Sequence, residues 1–347
     1  MVSGPPFAED TPSSSDPRGL LVGELPSRMG GFTEIPQQRE LQVFADKTLA
    51  VAAAQYEYAI RQLTHRRWDL FFFTTLAIDR LEHYAWRHYD AHQRRSQLSE
   101  IIPRAHEQLE EFVSTCVSTL GSSDQLILLS DHGHGARAST GVNLQEVLRR
   151  KGLYDIDPGS SSRRRKAVEV LKTAAFTVAP AIRAEDLMLR VAPRIPGKKA
   201  LKSGMYVGSP ARHSASVVDV AGSNPFGGVR AADVALQDNV ILAFEGIRHR
   251  GRHVVKWIAR TEEVLGAVAA KSDVYPELVF ELFPDYGPTW NLYGPIFTPI
   301  VTRRRQSGGH TRRAVCAGLP QLLWQPRDSH EVNRLLRSLV SDEVGGR

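Results

Sequence analysis

The sequence predicts an α/β protein built on a mostly parallel sheet with helices on both faces. Two short apolar runs, residues 68–76 and 125–130, have the length and composition of strands buried on both faces. A helical pattern over residues 103–120 lies between them, and the connections are short. Strand, helix and strand in this order are typical of a parallel sheet.

The elements before the second strand can be assigned in order along the chain. Residues 1–40 are dense in Pro, Ser and Gly, which predicts an irregular lead-in. Apolar residues then recur at helical spacing over residues 38–64, which predicts an amphipathic helix. Residues 79–90 follow the first strand and are expected to form the next helix.

Beyond the second strand the pattern mixes short helices and strands. Residues 143–150 predict a short helix that ends before Gly152. The domain is expected to span residues 41–320, and residues 321–347 form a C-terminal helix and tail. The remaining assignments are three strand-like segments, at residues 216–230, 251–259 and 276–283, and a terminal helix at residues 329–339.

A basic stretch at about residues 160–204 interrupts the predicted domain. It holds eleven Lys or Arg and three acidic residues, a local charge of +8, whereas the whole chain carries +6. Helical apolar spacing broken by prolines predicts a helical insertion there. We interpret residues 163–202 as a solvated helical face rather than a contact for nucleic acid or anionic membrane, because the run Arg163-Arg164-Arg165-Lys166 has no aromatic residues interleaved with its charges.

The composition excludes a collagen-like, a low-complexity and a fully disordered protein. The hydrophobic fraction of 42% and the charged fraction of 24% are typical of a globular chain. The two cysteines, Cys116 and Cys316, share no CxxC-type spacing, so the sequence encodes neither a thiolate zinc motif nor a disulfide framework. With no apolar run long enough for a membrane span, and no signal peptide after Met1, we predict a cytoplasmic protein if Met1 is the true start.

Three clusters carry residues suited to metal chemistry. Asp79 and His83 are four apart, so a helix places both on one face. Asp131 and His132 follow the second predicted strand in a glycine-rich turn, and His310 follows two glycines. Each cluster alone is more often an ordinary surface feature. The three clusters support a metal site only in combination. We expect them to converge where the strands end, since ligands bind at the carboxyl edge of parallel sheets.

Imidazole and carboxylate groups together suit Zn²⁺ or Mn²⁺. Two such ions about 3.5–4 Å apart form the clamp used for in-line displacement at phosphorus. His134 is interpreted as a loop residue or an outer neighbour of the ligands. The sequence therefore predicts a metal site without naming its catalytic nucleophile.

The order of these motifs resembles the alkaline phosphatase superfamily, in particular its type I phosphodiesterase/nucleotide pyrophosphatase branch. The resemblance covers about residues 40–320 apart from the basic insertion. It rests on five segments: DRLEHYAWRHYD at 79–90, LILLSDHGHG at 126–135, VNLQEVLRRKGL at 142–153, YPELV at 275–279 and GGHTRR at 308–313.

The resemblance implies a fold, an activity and two metal ions. It implies that Asp79, His83 and His310 hold one ion and that Asp131 and His132 contribute to the other. In the family, an aspartate ending the first strand and a Thr or Ser nucleophile complete the second ion. Residues 1–40 contain neither in a suitable context, so the second site is expected to be incomplete and the sheet to lack its N-terminal part.

The resemblance, together with the missing aspartate and nucleophile, leaves two functions to consider. The first is a metal-dependent hydrolase of phosphate mono- or diesters that acts on a small phosphate-ester substrate. The alternative is a catalytically inactive fragment or pseudoenzyme that retains the fold and a partial metal site. The substrate itself and the oligomeric state cannot be derived from these residues.

Overall fold

A computed structural model describes most of the chain between residues 36 and 318. The described residues are 2–3, 14–15, 36–89, 96–155, 170, 214–218, 225–266, 275–289, 293–300, 303 and 305–318. They belong to two compact units. The first unit comprises residues 1–136 and 305–347, and the second comprises residues 137–304.

Three helices build the apolar core of the first unit. They are α1 (Leu41–His65), α2 (Ala77–Tyr89) and α3 (Ile101–Thr119), and short 3-10 turns at Gln38–Glu40 and Gln97–Glu100 precede α1 and α3. Leu81 of α2 and Ile101 of α3 are fully buried in one cluster with Leu41 of α1. The predictions of helices at residues 38–64, 79–90 and 103–120 are confirmed within a few residues.

Short antiparallel pairs form the strands of the first unit. Each strand pairs with one distant in sequence, except for the pair at the N-terminus. The pairs are β1 (Val2–Ser3) with β2 (Ser14–Ser15), β3 (Leu128–Leu129) with β15 (Cys316–Ala317), and β4 (Gly133–Ala136) with β14 (Gly308–Thr311). The β4–β14 pair packs against α2 and carries part of the candidate site.

Among its described residues, the second unit has two small sheets and three helices, with a core that includes Phe244 and Phe280. The four-stranded antiparallel sheet has the order β10–β11–β7–β6, and the three-stranded sheet has the order β12–β5–β13. The strands are β5 (Thr140–Asn143), β6 (Ser216–Val218), β7 (Phe226–Arg230), β10 (Val255–Arg260), β11 (Leu278–Leu282), β12 (Tyr286–Thr289) and β13 (Phe297–Pro299), with a small hairpin of β8 (Arg248–His249) and β9 (Arg252–His253). The helices are α4 (Leu144–Arg150), α5 (Val234–Glu245) and α6 (Thr261–Leu265).

The fold is mixed α/β, as predicted, but the described residues contain no large parallel sheet. Among the described strands the one parallel pair is β5 with β12, and every other pair is antiparallel. The prediction of a strand at residues 125–130 holds only for Leu128–Leu129, which are half-buried rather than buried. The sequence pattern predicted strand-forming segments without fixing which segments would pair.

The prediction of a buried strand at residues 68–76 is wrong for this structure. Residues 69–75 make no backbone hydrogen bonds in the described part of the chain. From residue 71 to residue 76 the side chains alternate between half-buried and exposed. Phe73 packs on Tyr56 and Phe112, whereas Phe72 is 71% exposed. The segment is half-buried on one face and exposed on the other, and no described strand lies along it.

Several predicted features fall outside the described residues. They are the basic insertion at about residues 160–204, apart from Val170, most of the lead-in at residues 1–40, and the C-terminal helix and tail at residues 321–347. The predicted domain limits at residues 41 and 320 stay predictions. No helix among the described residues combines the length and the apolar character that a membrane crossing requires.

Candidate metal centre

Helix α2 presents two of the predicted ligands on one face. Asp79 and His83 lie four residues apart, which in an α-helix stacks their side chains one above the other. The buried residues Leu81 and Ala85 hold the opposite face of α2 in the core of the first unit. Asp79 and His83 are therefore fixed on the side of α2 that faces β4 and β14.

The antiparallel pair β4–β14 supplies the other imidazoles. His310 of β14 is the register partner of His134 in β4. Gly308 lets β14 approach α2 closely, because a Cβ there would overlap the carbonyl oxygen of Glu82. The sequence interpretation treated the glycines at 308 and 309 as loop residues, whereas the structure uses them as a strand.

Four side chains meet at one point. The Oδ1 atom of Asp79 lies 3.2 Å from Nε2 of His310, 3.5 Å from Nε2 of His83 and 3.7 Å from Nε2 of His134. The Nε2 atoms of His310 and His83 are 3.0 Å apart, and all four ligand atoms lie within 4.8 Å of one another. Zinc bonds of about 2.0–2.2 Å arranged tetrahedrally would separate ligand atoms by about 3.3–3.6 Å. The cluster therefore has the donor types that a divalent transition metal requires, and the three distances from Oδ1 of Asp79 lie close to that range.

The protonation states favour cation binding. Burial alone would raise the pKa of Asp79, but the hydrogen bond with His310 and the neighbouring imidazoles outweigh it, so the pKa lies below its usual value. Burial, reinforced by the charge of His83, lowers the pKa of His134 to about 3. Ionised carboxylate and neutral imidazole are the forms that bind metals. Near neutral pH, Asp79 and His134 are therefore in these forms.

The ring of His83 is held so that its Nε2 faces the cluster. Its Nδ1 atom lies 3.2 Å from the backbone carbonyl oxygen of Gly308. Because a carbonyl only accepts hydrogen bonds, Nδ1 carries the proton and Nε2 keeps its lone pair. Metal-bound histidines usually have their second nitrogen fixed in this way.

Of the two residues predicted for a second ion, His132 lies beside the cluster and Asp131 lies outside it. The ring of His132 stacks on that of His310 with centroids 3.6 Å apart, and its Nε2 lies 3.8 Å from Oδ1 of Asp79. Asp131 lies 3.5 Å from His132, but its side chain is 89% exposed. The structure thus brings Asp79, His83 and His310 together, places His132 at their edge, and leaves Asp131 facing solvent.

Sequence reasoning missed the part played by His134. It assumed a tight turn at Gly133 and Gly135, which would let the adjacent Asp131 and His132 reach one ion and left His134 as a loop residue or an outer neighbour. Residues 133–136 instead form a strand, in which alternate residues share a face. The pattern His-Gly-His at 132–134 was the available signal, because a strand would project both imidazoles to one side.

Comparison with known proteins adds no assignment: no family model, curated protein or solved structure matches this chain. The interpretation of the cluster therefore rests on its own residues and geometry.

Proposed function

We propose that this protein is a metal-dependent phosphoric ester hydrolase of the phosphodiesterase/nucleotide pyrophosphatase type. The observation that carries the proposal is the meeting of Asp79 and His83 from α2 with His310 from β14. These three residues come from two segments far apart in sequence, and they are the set that the alkaline phosphatase resemblance assigns to one ion. Zn²⁺ or Mn²⁺ and a small phosphate ester are the proposed cofactor and substrate class.

The residues of this chain would bind the ion, orient the substrate and limit access of water. A divalent ion held there would supply Lewis acidity toward a phosphoryl oxygen and lower the pKa of a water molecule. His132, beside His310 and Asp79, and the exposed Asp131 are placed to contribute to a second ion. No nucleophilic side chain is assigned.

The finer fold assignment belongs to the same proposal. We propose that the domain has the mostly parallel central sheet of the alkaline phosphatase superfamily, with helices on both faces. Support comes from the parallel β5–β12 pair.

A second candidate function is metal binding without catalysis. The observation that favours it is His134, because a fourth protein ligand would fill the tetrahedral shell that zinc prefers. Catalytic zinc sites keep one position for water or substrate, whereas structural sites are closed.

The two functions are separated by assaying protein of known metal content. Metal-free protein is loaded with one equivalent of Zn²⁺ or Mn²⁺ and incubated with bis(p-nitrophenyl) phosphate or p-nitrophenyl phosphate. We expect slow, metal-dependent release of p-nitrophenol that disappears with a chelator and in His310→Ala. The matched control is His253→Ala in β9, whose side chain is exposed and lies in the second unit. Stoichiometric metal binding without turnover would contradict the hydrolase and support the non-catalytic function.

A further inference from the structure

We propose that His134 is a ligand of the metal centre, and that Glu82, backed by His106, is the positioning residue that holds His134 in its metal-binding tautomer. The inference rests on the proposed function only in requiring that the cluster around Asp79 binds a divalent ion. The family resemblance assigns no role to any of these three residues.

Among the described residues, the buried Nε2 atom of His134 has no hydrogen-bond partner. The side chain of His134 is only 4% exposed, and its Nε2 points into the cluster, 3.7 Å from Oδ1 of Asp79. Leaving a buried polar atom unpaired is destabilising, and such atoms are rare in folded proteins. A cation between Asp79, His83 and His310 would give this nitrogen its missing partner.

Glu82 fixes which nitrogen of His134 carries the proton. Its Oε2 atom lies 3.1 Å from Nδ1 of His134. An ionised carboxylate only accepts hydrogen bonds, so Nδ1 donates and a neutral ring keeps its lone pair on Nε2. The free lone pair therefore points at the cluster, as a metal ligand requires.

Glu82 is itself held in place from the other side. Its Oε1 atom lies 3.2 Å from Nε2 of His106 on α3, and the Glu82 side chain is 13% exposed. With one oxygen bound to His106 and the other to His134, the carboxylate cannot rotate without breaking a hydrogen bond. The arrangement links α2, α3 and β4 to a single imidazole. Losing such an outer partner typically lowers metal affinity by about 10–100-fold.

The test measures metal binding directly and needs no substrate. Metal-free protein is titrated with Co²⁺ and with Zn²⁺ against a competing chelator, and the visible spectrum of the Co²⁺ form reports its coordination number. The variants are His134→Ala, Glu82→Gln and His106→Gln. The matched control is Glu110→Gln, which replaces an exposed carboxylate on the same helix as His106.

We expect a different result from each variant. His134→Ala changes the Co²⁺ spectrum and weakens binding by at least about 10-fold, as expected for the loss of a ligand. Glu82→Gln keeps the wild-type spectrum at saturation but weakens binding by about 10–100-fold, because an amide can also donate to Nδ1 and stabilise the wrong tautomer. His106→Gln weakens binding less, and Glu110→Gln leaves both readouts unchanged.

The outcomes separate this inference from the proposed function. Wild-type affinity and spectrum in His134→Ala, or wild-type affinity in Glu82→Gln, would overturn the inference alone. If His134→Ala fails to fold by circular dichroism, the affinities of Glu82→Gln and His106→Gln decide. A wild-type protein that binds neither ion would overturn both proposals, whereas a normal Co²⁺ site without hydrolysis would overturn only the hydrolase.

Discussion

His310 of β14 faces His134 of β4 as its antiparallel register partner, with ring centroids 5.0 Å apart. The two imidazoles therefore reach α2 together, and neither can be placed without the other strand. A one-residue slip in the pairing would turn one of them to the opposite face. Formation of the candidate metal centre is thus coupled to the folding of the first unit.

Metal binding should stabilise the protein through His310. A ligand at 100 times its dissociation constant adds about 2.7 kcal/mol to the free energy of unfolding. We expect Zn²⁺ to raise the thermal unfolding temperature of the wild type, and a chelator to reverse the rise. The shift should vanish in His310→Ala and persist in His253→Ala. An equal shift in all three proteins would place the bound zinc elsewhere.

Gly308→Ala should damage both stability and metal affinity. The new methyl group would overlap the carbonyl oxygen of Glu82, so β14 and α2 must move apart. Overpacking of this kind costs about 1–3 kcal/mol. Urea unfolding and a zinc titration measure the two losses. Gly121→Ala is the control, since the nearest atom to its added Cβ is Oδ2 of the Asp124 side chain, at 3.3 Å. A neutral Gly308→Ala would show that this close approach is not required.

Truncation to alanine should lower the free energy of unfolding at Phe73 and leave it nearly unchanged at Phe72. The half-buried Phe73 packs against the stacked rings of Tyr56 and Phe112, so Phe73→Ala should lower the free energy of unfolding by up to about 3 kcal/mol. Phe72 is 71% exposed, and Phe72→Ala should change it by less than about 0.5 kcal/mol. Urea denaturation of both variants is the measurement. Equal large losses would indicate that residues 68–76 are buried on both faces, as the sequence pattern predicted.

Glu146 should stabilise the second unit in a pH-dependent way. Its side chain is 1% exposed, and its oxygens accept hydrogen bonds from Arg149, Arg150 and the backbone N–H of Tyr293. Burial alone would raise the pKa of Glu146, but these hydrogen bonds outweigh it and the pKa is lowered from 4.5. Because the folded pKa lies below the unfolded one, the stabilisation is present above about pH 4.5 and is lost as the pH falls through the folded pKa.

The corresponding experiment compares wild type with Glu146→Gln by urea unfolding between pH 3 and pH 7. We expect the variant to be less stable by about 2 kcal/mol near neutral pH, since hydrogen bonds to a charged group are lost. Partial exposure of both arginines limits this difference. The two curves should converge at low pH. Glu245→Gln, an exposed position on α5, should follow the wild type throughout, and a pH-independent difference for Glu146→Gln would contradict the assignment.

The sequence alone predicted the helices of the first unit and the pairing of Asp79 with His83. Both depend on local spacing: apolar residues at a period near 3.6 bury one face of α1 and α3, and positions four apart share a face on α2. His310 was also selected correctly as a neighbour of Asp79, although only in combination with the other motifs.

Only the tertiary structure decided which other residues join the site and which strands pair. It brought His134 and Glu82 to the centre and left Asp131 in solvent. Within the described part of the chain, it also left residues 69–75 without a partner strand. A strand pattern states which residues can share a face, but its neighbours are chosen by contacts between segments distant in sequence. The pairing of β4 with β14 is such a choice, and it determines which histidines surround Asp79.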